Sequence, residues 1–238
     1  MHASPETATT RHAFLDGRAE KVAQLRDLLA GKFPAIQQKA GGILCTGLAD
    51  VDAAEGGLRR AALTELSTAS GAGAVFIHAM LRAISRERCL GALVDAAHSF
   101  DAEGATTAAP ARLLVVFCAD AMQAVKAADL LLRDGNLSLV MLDLQAAPAR
   151  ELQRIPSNTW HRLQRLAEQT TAAVVVLTPQ PMVEAAQVRI TAGENWTLAA
   201  QRRWQRDLIA SAPWRVFPRR TAGRHAPGLE SGREAATA

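Results

Sequence analysis

The stretch whose reading decides the fold begins at Leu113-Leu-Val-Val-Phe-Cys118, passes through Asp120 and Ala121 to Arg133 and Gly135, and ends at Leu137-Ser-Leu-Val-Met-Leu-Asp143-Leu144. The first run is short and apolar at successive positions, the pattern of a strand buried on both faces of a parallel sheet. Asp120 carries a side-chain oxygen able to cap the N–H groups of a helix over Ala121–Arg133, and Gly135 suits the left-handed position that ends one. Leu137–Leu144 is then a second strand, closing on Asp143. A strand, a helix and a strand in this order join parallel neighbours by a crossover.

The same alternation extends both ways. Upstream, Leu63–Leu66 reads as a strand, Ala74–Ile84 as a helix and Leu90–Asp95 as a strand. Downstream, Pro156 and Ser157 start a helix over Asn158–Gln169, and Ala172–Leu177 is a buried strand. Ala186–Thr191 has the look of an edge strand and Trp214–Pro218 that of a short last one. The pattern predicts an α/β core over 41–192, with a mostly parallel sheet and helices on both faces. Before it, Val22, Leu25, Leu28 and Leu29 have the spacing of an amphipathic helix within segment 17–40, behind a polar, mobile stretch at 1–16. After it come a basic, tryptophan-containing extension of the core at 193–218 and a disordered tail at 219–238.

Composition narrows the class. The chain has 238 residues, 49% hydrophobic and 21% charged, which excludes a disordered chain. No apolar run approaches the roughly 18 residues of a membrane span, and Met1 to Thr10 lacks the apolar stretch of a signal peptide. Cys45, Cys89 and Cys118 are odd in number and lack metal-ligand spacing, and no H-x-x-x-H pair occurs among the histidines. A reduced, cytoplasmic setting without membrane or metal partner is the expectation. Arginine and alanine are abundant and tyrosine absent, a bias that GC-rich coding explains in part. The net charge is +4, and the only lysines are Lys21, Lys32, Lys39 and Lys126.

Thr46-Gly47, Asp50-Val-Asp52, Gly56-Gly-Leu-Arg59 and Leu63-Thr-Glu-Leu66 lead into Ser67-Thr-Ala-Ser-Gly71-Ala-Gly73-Ala-Val75. That order resembles the recombinase A (RecA) family, in which such a segment runs into a strand and its phosphate-binding loop. Leu93-Val-Asp95-Ala-Ala-His98-Ser-Phe-Asp101 is similar to the family's first acidic strand end, and Leu139–Asp143 to its second, the Walker B strand. The resemblance covers roughly 45–180 and implies a RecA-like fold.

The departures fall on the chemical groups. A phosphate-binding loop needs G-x-x-x-x-G-K-[ST], whose glycines let N–H groups converge, whose lysine neutralises phosphate and whose hydroxyl holds magnesium. Here Thr68 stands for the first glycine, Gly73 keeps the second, Ala74 replaces the lysine and Val75 the hydroxyl residue. Ala97 stands where the family has the glutamate that activates water, a loss worth about 10²–10⁴ in rate. Asp95, Asp101 and the vestigial Asp143 read as strand-end or capping aspartates, and His98 as a hydrogen-bonded structural histidine. The expectation is a non-enzyme with no cofactor and no catalytic residue. The alternative is residual ATP binding, with Arg59 or Arg60 substituting for the lysine.

Ala128-Asp-Leu-Leu-Leu-Arg-Asp-Gly-Asn136, Arg154-Ile-Pro156 with Trp160-His-Arg-Leu-Gln-Arg165, and Leu177-Thr-Pro179 resemble the ImuA group, degenerate RecA-like accessory proteins of SOS mutagenesis. This resemblance implies partnership with an ImuB-type, Y-family-like protein and an error-prone polymerase in synthesis past DNA lesions. A second degenerate group, the SulA-type cell-division inhibitors, is the alternative. RecA-like chains also assemble head to tail, so self-association is a further implication.

The charge excess lies late in the chain. Arg189, Arg202, Arg203, Arg206, Arg215, Arg219, Arg220, Arg224 and Arg233 are interleaved with Trp196, Trp204 and Trp214. Arginines that track phosphates and indoles that stack on bases suit single-stranded DNA, and the same mixture suits a protein interface. Equally, the tryptophans can bury while the arginines stay solvated. The candidate DNA- or partner-binding set is Arg202, Arg203, Trp204, Arg206, Trp214, Arg215, Arg219 and Arg220. Arg154, Arg162 and Arg165 form a second candidate basic stripe, with Trp160 explained by packing.

Overall fold

A computed structural model describes residues 42–68, 72–101, 112–192 and 213–219. The amphipathic helix expected in 17–40, the segments 1–16 and 193–212, and all of the tail beyond Arg219 lie outside them.

The described part opens with a clasp. Strand β1 (Ile43–Leu44) pairs antiparallel with β2 (Leu58–Arg59), and helix α1 (Ala49–Glu55) lies between them in sequence. Asp52 holds the clasp shut: Oδ1 accepts from Thr46 N (2.9 Å) and Oγ1 (2.7 Å), and Oδ2 from Gly47 N (2.8 Å) and Cys45 Sγ (3.1 Å). Burial works upward on this carboxyl, but the hydrogen bonds from Thr46, Cys45 and Gly47 outweigh it and hold it below the usual carboxylate range. Gly56 ends α1 at φ 75°, and a Cβ on Gly57 (φ 133°) would meet the Leu44 carbonyl oxygen. The Thr-Gly…Asp…Gly-Gly-Leu order is therefore a folding motif here.

The main sheet has seven strands in the order β5-β4-β6-β7-β3-β8-β9. They are β3 (Ala62–Ser67), β4 (Gly91–Asp95), β5 (Leu113–Phe117), β6 (Leu139–Asp143), β7 (Ala173–Thr178), β8 (Val188–Ala192) and β9 (Trp214–Pro218). All pairs are parallel except β8–β9. The helices are α2 (Ala72–Glu87), α3 (Ala121–Asp134), α4 (Ala149–Leu152) and α5 (Ser157–Thr170). Successive strand residues feed opposite faces. Leu66, Leu93, Met141, Val175 and Ile190 pack with α1 and α2, while Leu63, Val94, Leu142, Val174 and Val176 pack with α3 and α5. This is the α/β, mostly parallel sheet with helices on both faces that the alternation predicts.

Local signals and structure agree closely around α3. Asp120 accepts from Gln123 N at 2.7 Å as its N-cap, and Gly135 sits at φ 75° after its end. Two strands differ from expectation. The expected edge strand around Ala186–Thr191 is interior, because β9 pairs along its outer side. The run Leu113–Phe117, read as buried on both faces, is instead the outer strand, with Leu114 and Phe117 about half exposed. Hydrophobic runs alone do not separate these cases when the neighbour comes from distant sequence. No helix among the described residues is long and apolar enough to cross a membrane.

Candidate functional site

In a parallel α/β sheet the loops at the carboxyl ends of the strands carry function, because every helix N-terminus also opens there. The residues that carry the resemblance to a nucleotide site fall on that edge.

Thr68 follows β3 and is buried, its N–H donating to Thr178 O at 3.1 Å. Residues 69–71 lie outside the described set. Gly73 sits in the first turn of α2, and the side-chain amide of Gln145 fills the space a Cβ would take there. Ala74 is exposed and Val75 is buried, so the position of the family's lysine carries one methyl group, and that of its hydroxyl residue is core. Gln145 comes from the loop after β6, and no sequence signal marked it.

Asp95 and Asp143 end the adjacent strands β4 and β6 and are register partners on the α2 face. They are buried rather than solvent-facing, contrary to the reading of capping or surface aspartates. Asp95 folds its own loop, accepting from Ala97 N (2.9 Å), Phe100 N (2.8 Å) and Ser99 Oγ (3.5 Å). Ala97, at the glutamate position, thus contributes a backbone N–H to that turn. Asp143 accepts one N–H, from Gln145 (3.0 Å). Burial pushes the Asp143 carboxyl up to about 6; the Gln145 N–H opposes the shift and the Asp95 charge adds to it. Among the described residues no group of three or more His, Cys, Asp and Glu side chains could hold a metal ion.

His98, expected to be hydrogen-bonded, is exposed. It adopts φ 53° and stacks on Phe117, with ring centroids 5.2 Å apart. Asp101 is exposed.

Arg59 and Arg60 are misplaced for a lysine substitute. They precede β3, whereas the phosphate loop follows it, and a six-residue strand spans about 20 Å. Arg59 pairs instead with Glu55 at 2.5 Å.

Of the C-terminal set, Arg202, Arg203, Trp204, Arg206 and Arg220 lie outside the described residues. Trp214 is 5% exposed and packs edge-on against Phe76, with centroids 5.8 Å apart; its backbone N–H donates to Asp50 Oδ2 at 2.9 Å, while its buried indole Nε1 has no partner among the described residues. It is a core residue and offers no open ring face to a base. Arg215 is exposed on the outer strand and Arg219 just after it, Arg219 also donating to Glu184 O at 2.8 Å. Arg189 turns inward: its Nε donates to Glu65 Oε2 at 2.7 Å. Trp160 is core, as packing suggested. Arg162 is tied to Asp129 at 2.7 Å, whereas Arg154 and Arg165 are exposed.

Beside the start of α2, on the α5 side of the sheet, lies a cavity of about 490 Å³. The segment between β6 and α5 supplies Gln145, Leu152 (the end of α4) and Ile155, α5 supplies Ser157 and Trp160, and Met182 lines it from the loop after β7. Gln145 lines this cavity and also covers Gly73, so one side chain separates the two places. No protein-family model matches this sequence, and no curated protein matches it.

Proposed function

We propose that this chain is a RecA-like, non-catalytic accessory protein of SOS-induced translesion DNA synthesis, working in the cytoplasm. It would recruit or stabilise a mutagenic assembly of an ImuB-type, Y-family-like protein and an error-prone polymerase. Protein contacts would carry that role, together with single-stranded DNA at the basic C-terminal segment. The motif order supports the family reading: two acidic strand ends and a strand–loop–helix unit lie on one edge and one face of a parallel sheet.

The observation that carries the non-catalytic reading is Gln145. Its neutral amide occupies the space over Gly73 at the start of α2, next to a solvent-facing Ala74. A phosphate approaching that turn would meet a side chain already packed there and no cation, and a hydrogen bond to a charged group is worth about 1.5–3 kcal/mol. With nucleotide chemistry gone, what the fold retains is surface.

The test is a pull-down of the purified ImuB-type protein by the full-length chain, with and without Mg-ATP. Equal capture in both conditions is expected. Absence of capture, or capture that requires ATP, overturns the reading.

A further inference from the structure

The cavity after β6 and β7 is unlike the rest of that edge. Leu152, Ile155, Trp160 and Met182 give it apolar walls, and Gln145, Gln153 and Gln180 contribute neutral amides. None of the lining residues is charged. Its volume of about 490 Å³ is at the scale of sites that take a large side chain with neighbouring backbone. Uncharged amides satisfy peptide N–H and C=O groups without favouring either sign, and burying a large apolar side chain contributes about 1.5–3 kcal/mol.

Charge borders the lining in sequence. Arg150 and Arg154 flank the lining residues Ala149, Gln153 and Ile155, and both are exposed. Neither guanidinium enters an ion pair or hydrogen bond with the described residues, unlike those of Arg162 and Arg189, which are held by Asp129 and Glu65. Glu151, next to Arg150, is turned away to accept from Ala121 N at 3.2 Å. Glu184 stands beside the lining residue Ser157, its Oε1 3.5 Å from the hydroxyl. A continuous phosphate backbone would have to pass that carboxylate. A peptide whose acidic residues are confined to one side of its anchor would not.

We propose that this cavity and the arginines that border its lining dock a short acidic peptide segment of a partner protein, one large apolar or aromatic side chain entering the cavity and flanking carboxylates meeting Arg150 and Arg154. The inference goes beyond the translesion reading and does not depend on it, since it concerns the chemistry of the bound segment whatever process supplies it. Arginine forks matched to carboxylates give such a contact its orientation, and the buried anchor gives most of its affinity.

The probe is a random twelve-residue peptide library selected on the full-length protein, followed by anisotropy titration of the enriched, labelled peptides. Enriched sequences should combine Phe, Trp, Leu or Met with an excess of Asp and Glu. Ala149→Trp, which fills the cavity from an exposed position, should weaken binding at least tenfold. Arg150→Glu with Arg154→Glu should do the same, with both variants keeping the wild-type melting transition. No enrichment, enrichment without acidic residues, or binding unchanged in the charge-reversal variant overturns the proposal. So does displacement of the peptide by twenty-residue oligothymidylate at comparable concentration, which would make the cavity part of a nucleic-acid groove.

Discussion

Two parts of one sheet bury carboxylates in opposite ways. On the β7–β3–β8 side, Glu65 is fully buried and fully served. Its Oε1 accepts from Thr178 Oγ1 (3.0 Å), Met182 N (2.6 Å) and Val183 N (3.0 Å), and its Oε2 from Arg189 Nε (2.7 Å). On the β4–β6 side, Asp143 is buried with one N–H donor and the Asp95 carboxylate as its register partner. The first arrangement fastens the loop after β7 to β3. The second leaves like charges side by side with no cation among the described residues. One acid holds the frame together, and the other strains it.

That contrast can be broken most forcefully at Glu65. Glu65→Ala would leave Thr178 Oγ1 and the Met182 and Val183 N–H groups without their acceptor, and a buried donor left unsatisfied costs about 1–3 kcal/mol. A denaturant titration should show that loss, with Glu65→Gln intermediate because the amide oxygen still accepts. A Glu65→Ala protein as stable as wild type would remove the clamp from the account.

At Asp143 the sign reverses. A carboxyl raised to about 6 in the folded state destabilises the fold above that pH, so wild-type stability should rise as pH falls from about 6 to about 4. Asp143→Asn should lack that slope and be more stable at pH 7 by roughly 1–3 kcal/mol, a pKa unit being about 1.4 kcal/mol. Thermal melts of both proteins at pH 4 to 7 measure it. A destabilised variant at pH 7 would mean that the charge is needed where it stands.

An effect of similar size belongs to Asp52, whose lowered carboxyl stabilises above the unfolded value near 3.9 and loses that contribution as pH falls through its folded value. Asp52→Ala should cost about 1–3 kcal/mol at pH 7, the scale of hydrogen bonds to a charged group. A melt unchanged from wild type would show that Gly56 and Gly57 alone shape the clasp.

The core strands could be read from the sequence because their apolar runs are flanked by caps and turns: Asp120 and Gly135 bound α3 within a residue of expectation. The two-residue strands β1 and β2 and the short helices α1 and α4 escaped, since glycine turns and Asp52 make them rather than periodicity. Sheet order was equally hidden, because β8 becomes interior only through β9, some twenty residues further on. At the site, the substitutions at Ala74, Val75 and Ala97 were legible as missing chemistry. Gln145 and the cavity were not, because a neutral glutamine in a loop gains its meaning only from what folds beside it. Trp214 and Arg189 looked like binding residues for the converse reason: composition cannot tell a core indole or a clamping guanidinium from exposed ones.

The central claim, an accessory role without nucleotide turnover, is tested most directly by damage-induced mutation frequency in cells deleted for this gene. The account predicts a fall on deletion and equal restoration by the wild-type gene and by Asp143→Asn. An unchanged frequency on deletion, or a well-folded Asp143→Asn protein that fails to restore it, would contradict the account.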